Sequence, residues 1–171
     1  MNLSLDHLVT DHGTNILETS KSKTVMMVFL RHFGCVFCRE ALNEISKNRS
    51  NWEKRGIHLV LVYPSDKASG EKYFSQFDLS TIDSVSDPET KWYQIFGLVK
   101  GSFSQLFGLK TIIRGFEVAT TGTLPVLKQV GDGFQMPGIF LIRNGQVRDK
   151  YIHRSASDKP DYDSLVDCCA L

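Results

Sequence analysis

Two apolar runs constrain this chain more than any other feature. Thr24-Val25-Met26-Met27-Val28-Phe29-Leu30 and Ile57-His58-Leu59-Val60-Leu61-Val62-Tyr63 each have the length of one strand, and neither sustains a polar alternation. Each therefore predicts a strand covered on both faces, as a parallel sheet between helical layers requires. Between them Phe37, Cys38, Ala41, Leu42 and Ile45 recur at helical spacing, and Gly56 punctuates the helix exit. The unit is β-α-β, and the class it implies is α/β.

The remaining elements extend this alternation. Ser65 and Asp66 can cap a helix carrying Tyr73, Phe74 and Phe77. A short strand is expected over Thr81 to Val85. Ser86-Asp87-Pro88-Glu89 reads as a helix start with Pro near the first helical position, followed by Trp92, Tyr93, Ile95 and Phe96, with Gly97 as its end. Leu98 to Thr123 has four glycines and several phenylalanines without a clean period. It reads as an insertion, with an aromatic content suited to a wall over a site or to a homodimer interface. Phe134 to Arg143, an Asn144-Gly145 turn and a return strand through Ile152 form a hairpin. Asp161 to Leu165 opens a C-terminal helix with acidic residues in its first turn. With 171 residues, 42% of them hydrophobic and 23% charged, the chain suits a single domain over 1–171.

Charge and targeting signals exclude several function classes. Lys+Arg 20 against Asp+Glu 19 leaves a formal +1, and the basic residues are scattered, so no nucleic-acid footprint is present. The longest apolar run is too short to span a membrane, and Met1 to His7 lacks a basic and an apolar signal region. A cytoplasmic protein is expected.

Four cysteines fall as two tight pairs, Cys35/Cys38 and Cys168/Cys169. At positions i and i+3 of a helix start, Cys35 and Cys38 share a face and can close a small, readily opened disulfide ring. The positive helix end and its unsatisfied N–H groups favour a Cys35 thiolate, which makes Cys35 the candidate nucleophile and Cys38 the resolving thiol. A metal centre is not expected, because C-x-x-C supplies two ligands and no second pair with ligand spacing follows. No organic cofactor is required. Arg31 and His32 are close enough in sequence to stabilise a thiolate or to contact substrate. Met136-Pro137 reads either as an ordinary strand start or as a cis-proline turn presenting backbone to an extended substrate beside the thiols. Cys168-Cys169-Ala170-Leu171 formally fits a prenylation pattern, but Asp163 and Asp167 stand where basic residues are usual.

The cysteine pair opening a helix after the first long strand, with Met136-Pro137-Gly138-Ile139-Phe140 and an Asn-Gly hairpin far downstream, resembles the thioredoxin fold. Leu61-Val62-Tyr63-Pro64-Ser65-Asp66 and Ser86-Asp87-Pro88-Glu89 with Phe96-Gly97-Leu98 are similar to peroxiredoxin segments. The run Arg31-His32-Phe33-Gly34-Cys35-Val36-Phe37-Cys38-Arg39-Glu40 resembles peroxiredoxin-like proteins of the alkyl hydroperoxide reductase/thiol-specific antioxidant superfamily, including the selenoprotein U type. The likeness spans about Thr24 to Tyr151. It implies a central mixed β-sheet flanked by helices, reduction of a hydroperoxide or a protein disulfide at Cys35, and a thioredoxin- or glutathione-type reductant. Typical peroxiredoxins carry Pro-x-x-x-Thr/Ser-x-x-Cys, whereas Val28 and His32 stand at the proline and hydroxyl positions here. Two alternatives therefore stay open: a dithiol-disulfide exchanger, and a non-catalytic redox-sensing module.

Overall fold

The computed structural model describes residues 5–102, 111, 113–114, 117–118 and 133–169. The two apolar runs form β1 (Thr24–Phe29) and β2 (Ile57–Tyr63), joined by helix α2 (Val36–Lys54), after a short α1 (Ile16–Ser22). Helix α3 (Lys67–Phe74), β3 (Asp83–Ser86), α4 (Lys91–Ile95), the hairpin β4 (Gly138–Arg143) and β5 (Gln146–Ile152), and α5 (Tyr162–Cys169) follow. The sheet order is β3-β2-β1-β4-β5. β1, β2 and β3 run parallel, and β4 pairs antiparallel with both β1 and β5, so the sheet is mixed.

β1 is buried at every position because its two faces serve two cores. Side chains alternate across a strand. Met26 and Val28 join Leu42, Ile45 and Trp52 of α2 and Tyr162, Leu165 and Val166 of α5 on one side. Val25, Met27 and Phe29 face Leu5, Leu8, Ile16, Tyr93, Phe96 and Phe140 on the other. Each such side chain contributes about 1.5–3 kcal/mol when fully buried, which fixes β1 at the sheet centre. β5 is the half-exposed edge, with alternating exposure along its length. The Asn144-Gly145 turn has φ of 51° and 70°, as a type I′ turn requires.

Three expectations change. Helix α1 lies before Thr24, in a stretch for which the sequence predicts no element; Asn15 caps it by accepting the Glu18 N–H at 3.0 Å, and Ile16 buries its apolar side. Helix α4 begins at Lys91, beyond the turn that contains Pro88, because the Asp87 carboxylate reaches past it to accept the Lys91 and Trp92 N–H groups at 2.9 and 2.8 Å. The Met136-Pro137 peptide is trans, not cis. Gln135 bridges Lys100 and the Met136 N–H donates to Val99 at 3.3 Å, which ties down the segment before Pro137, and trans is the isomer an X-Pro bond ordinarily favours. Most of the insertion at 98–123 lies outside the described residues. Among those described, no helix is long and apolar enough to cross a membrane.

Candidate active site

β1 delivers its C-terminal end to a loop that carries Arg31 to Gly34, and α2 starts immediately after it. Cys35 is the N-cap of α2, in extended conformation, and its N–H donates to the His32 carbonyl at 3.1 Å. Two aromatic hydroxyls fix this loop from either side. Tyr73 donates to the Phe33 carbonyl and stacks on Phe33 at 4.3 Å, while Tyr93 donates to the Leu30 and Val62 carbonyls. Fixing the loop fixes the first turn of the thiol helix.

Cys35 and Cys38 are both free thiols, and they are 7% and 6% exposed. The buried Arg31 guanidinium donates through Nε and Nη2 to the Gly133 carbonyl and directs Nη1 at the Cys35 sulfur, 3.5 Å away. The Cys35 sulfur makes no capping hydrogen bond, yet the N–H groups of Cys38 and Phe37 still favour its charged form. The Cys38 thiol acts most strongly by donating to Cys35; together with Arg31 these groups overcome burial and lower the Cys35 pKa from 9.0 to about 6. Cys38 moves the opposite way, raised by the hydrogen bond its thiol offers Cys35 and by burial. The two shifts favour a thiolate at Cys35 and a protonated thiol at Cys38. The arrangement can supply one nucleophilic sulfur backed by a protonated thiol one helical turn away.

An open cleft brings Cys35, Cys38, Arg31 and Pro137 together. Its walls are largely apolar, from Phe37, Ala41, Ala156 and Pro160. Met136 is buried behind the wall against Ala156 and Phe37. His32 contributes its carbonyl to the turn, and its ring is not part of the cleft lining. No group of three or more potential metal ligands occurs among the described residues.

Several site residues are not marked by the sequence. Burial drives the His153 pKa from 6.5 to about 4, so the imidazole in the cleft wall is neutral near pH 7. Arg114 grips Glu40 of α2 through both carboxylate oxygens at 2.8 and 2.9 Å and donates to the Ser157 carbonyl at 3.0 Å. Its guanidinium also lies 5.8 Å from the Phe37 ring centroid, tying one residue of the insertion to the thiol helix. None of these contacts has a local motif; each joins residues distant in sequence.

A family model described as AhpC/TSA antioxidant enzyme matches residues 44–157. The chain belongs to that family. Both cysteines of the cleft precede the matched segment. Among curated relatives, the thioredoxin-like protein AAED1, chloroplastic, of Arabidopsis thaliana is 26% identical over 165 residues, covering 91% of this chain and 66% of that protein. The chain thus spans just under two thirds of that relative. A prostamide/prostaglandin F synthase of Danio rerio is 24% identical, covering 95% of this chain and 82% of its own. A cysteine-to-serine mutant of Xanthomonas campestris peroxiredoxin Q shares the fold with a TM-score of 0.66 at 14% identity, over 98% and 96% of the two chains. The chain is thus a peroxiredoxin-like protein of the thioredoxin fold, within the AhpC/TSA antioxidant family. In this AhpC/TSA chain Arg31 stands at the sulfur, whereas the position three before Cys35 is His32 and not a hydroxyl residue.

Proposed function

We propose that this protein reduces hydroperoxides through Cys35, with Cys38 as the resolving thiol. The observation that carries this reading is the Arg31 guanidinium 3.5 Å from a Cys35 sulfur whose pKa is lowered to about 6. In the first step the thiolate attacks the distal peroxide oxygen, the O–O bond breaks, and the alkoxide takes a proton to leave as an alcohol. Sulfur is oxidised to sulfenic acid, and Arg31 offers N–H donors to the charge that develops on oxygen. Cys38 then attacks that sulfur, the S–O bond breaks, and hydroxide leaves with the Cys38 proton as water. An external dithiol or glutathione-type thiol reduces the disulfide by exchange. The apolar cleft walls suit an alkyl hydroperoxide. Because relatives are named prostamide/prostaglandin F synthase, prostaglandin-type substrates belong in the same assay.

Disulfide exchange is the second reading, favoured by the C-x-x-C pair itself and by His32 at the hydroxyl position. Stopped-flow mixing of reduced protein with one equivalent of hydrogen peroxide, with mass mapping and Cys35→Ser as control, separates the two. Oxidation far faster than that of a free thiol, ending in a Cys35–Cys38 bond, supports peroxide reduction. A slow reaction, with the bond forming readily only from a disulfide donor, supports exchange.

A further inference from the structure

The second cysteine pair lies at the other pole of the sheet. Adjacent residues on a helix point about 100° apart, so neighbouring side chains ordinarily diverge. Cys168 and Cys169 instead converge, with their sulfurs 3.6 Å apart, and both thiols are free. Cys168 is exposed; Cys169 is half-buried against the core cluster that includes Tyr162 and Val166. The Thr24 hydroxyl donates to the Cys169 carbonyl at 2.8 Å and anchors the last described turn of α5 to the first residue of β1. The pair is therefore held and presented, not frayed away from the body.

A separation of 3.6 Å is far from that of a disulfide, about 2.05 Å, and direct bonding would close an eight-membered ring across one peptide. It is close to the spacing of two thiolates on one thiophilic centre: sulfurs at about 2.3 Å from a tetrahedral ion stand about 3.8 Å apart, and a pyramidal centre with narrower angles draws them closer. No third protein ligand accompanies the pair among the described residues, which disfavours zinc, a four-coordinate ion. A three-coordinate centre that brings its own third ligand needs only two sulfurs.

We propose that Cys168 and Cys169 form a bidentate site for trivalent arsenicals, separate from the Cys35 cleft. With a monoaryl arsenoxide, two As–S bonds form, the arsenic–oxygen bond breaks, and the oxygen leaves as water with both thiol protons. Arsenic stays trivalent and neither sulfur is oxidised, so no co-reactant is needed. The raised Cys169 pKa, about 11 through burial and then the Cys168 contact, keeps this thiol protonated until a thiophilic centre displaces the proton. The proposal does not depend on peroxide reduction.

The test uses the full chain, fully reduced, with Cys35 and Cys38 both replaced by serine so that only the second pair remains. Titration with phenylarsine oxide, followed by native mass spectrometry, should give one arsenical per chain. The adduct should survive excess glutathione and be reversed by dithiothreitol. Cys168→Ser and Cys169→Ser, each in that background, should weaken binding by about 100-fold or more, the gain a second attachment gives. Unchanged affinity in either single variant, or one arsenical bridging two chains, would overturn the site. Circular dichroism of each variant confirms that a loss of binding is not a loss of fold.

Discussion

The two cysteine pairs are made of the same atoms and differ in almost everything that decides their chemistry. Cys35 stands at the N-cap of the 19-residue α2, facing Arg31 and the Phe37 and Cys38 N–H groups, and its thiol is acidified to about 6. Cys169 ends α5, where carbonyls and not N–H groups are left over, and burial with Cys168 and Asp149 lifts its pKa to about 11. β1 separates them, since Cys35 follows its C-terminal end and Thr24 at its start holds Cys169. The lesson is that a C-x-x-C and a C-C pair are told apart by the helix end they occupy and the charge they face.

The largest expected effect comes from removing one member of the first pair. Cys35→Ser should reduce oxidation by one equivalent of peroxide to the level of the solvent-exposed thiols. Cys38→Ser should leave Cys35 reactive but trap it as sulfenic acid, detectable with dimedone by mass spectrometry. It should also raise the Cys35 midpoint, because the Cys38 thiol is the strongest influence holding it down. If Cys38→Ser still gives an intramolecular disulfide, another cysteine is the resolving partner.

pH should separate the pairs next. The Cys35 thiolate is present above about 6 and lost as pH falls through that value, whereas Cys169 ionises near 11. At pH 7 Cys35 is therefore the far more ionised of the two. Burial slows alkylation of Cys35 without moving its midpoint, so the iodoacetamide rate against pH, read by peptide mass mapping, should turn over near pH 6. Arg31→Met should move that midpoint upward, and a midpoint that stays in place would remove Arg31 from the account.

A smaller, purely structural effect should leave the contrast intact. A Cβ at Gly70 would fall on the Tyr63 ring, which donates its hydroxyl to Asp11 at 2.9 Å. Gly70→Ala should cost about 1–3 kcal/mol in urea unfolding, as overpacking typically does, with the Cys35 midpoint unmoved. The smallest change should follow Cys168→Ser, an exposed site, with stability altered by less than about 0.5 kcal/mol and peroxide oxidation unchanged.

Much of the scaffold was legible in the residues. Thr24–Leu30 and Ile57–Tyr63 carry enough apolar residues to demand cover on both faces, so strand type and sheet position follow from hydrophobicity alone. Asn144-Gly145 specifies its turn through the two positive φ angles it must adopt, and Cys35 was placed at the helix start by the periodicity that follows it. Helix α1 was not legible, since its apolar face is little more than Ile16 and it forms by docking on a core it does not itself announce. The start of α4 moved because a carboxylate at Asp87 reaches several N–H groups, and which of them it takes depends on the turn between.

Sequence by itself determined the α/β alternation, the central place of β1 and the position of a cysteine pair at the opening of a long helix. These follow from local periodicity and from the small set of backbone conformations each residue type permits. Tertiary structure alone decided that Arg31 would be clamped by Gly133 and aimed at Cys35, that His153 would enter the same cleft, and that Arg114 would grip Glu40. Electrostatic effects fall off with distance in space, not along the chain, and the chain separations bridged here leave no local pattern to read.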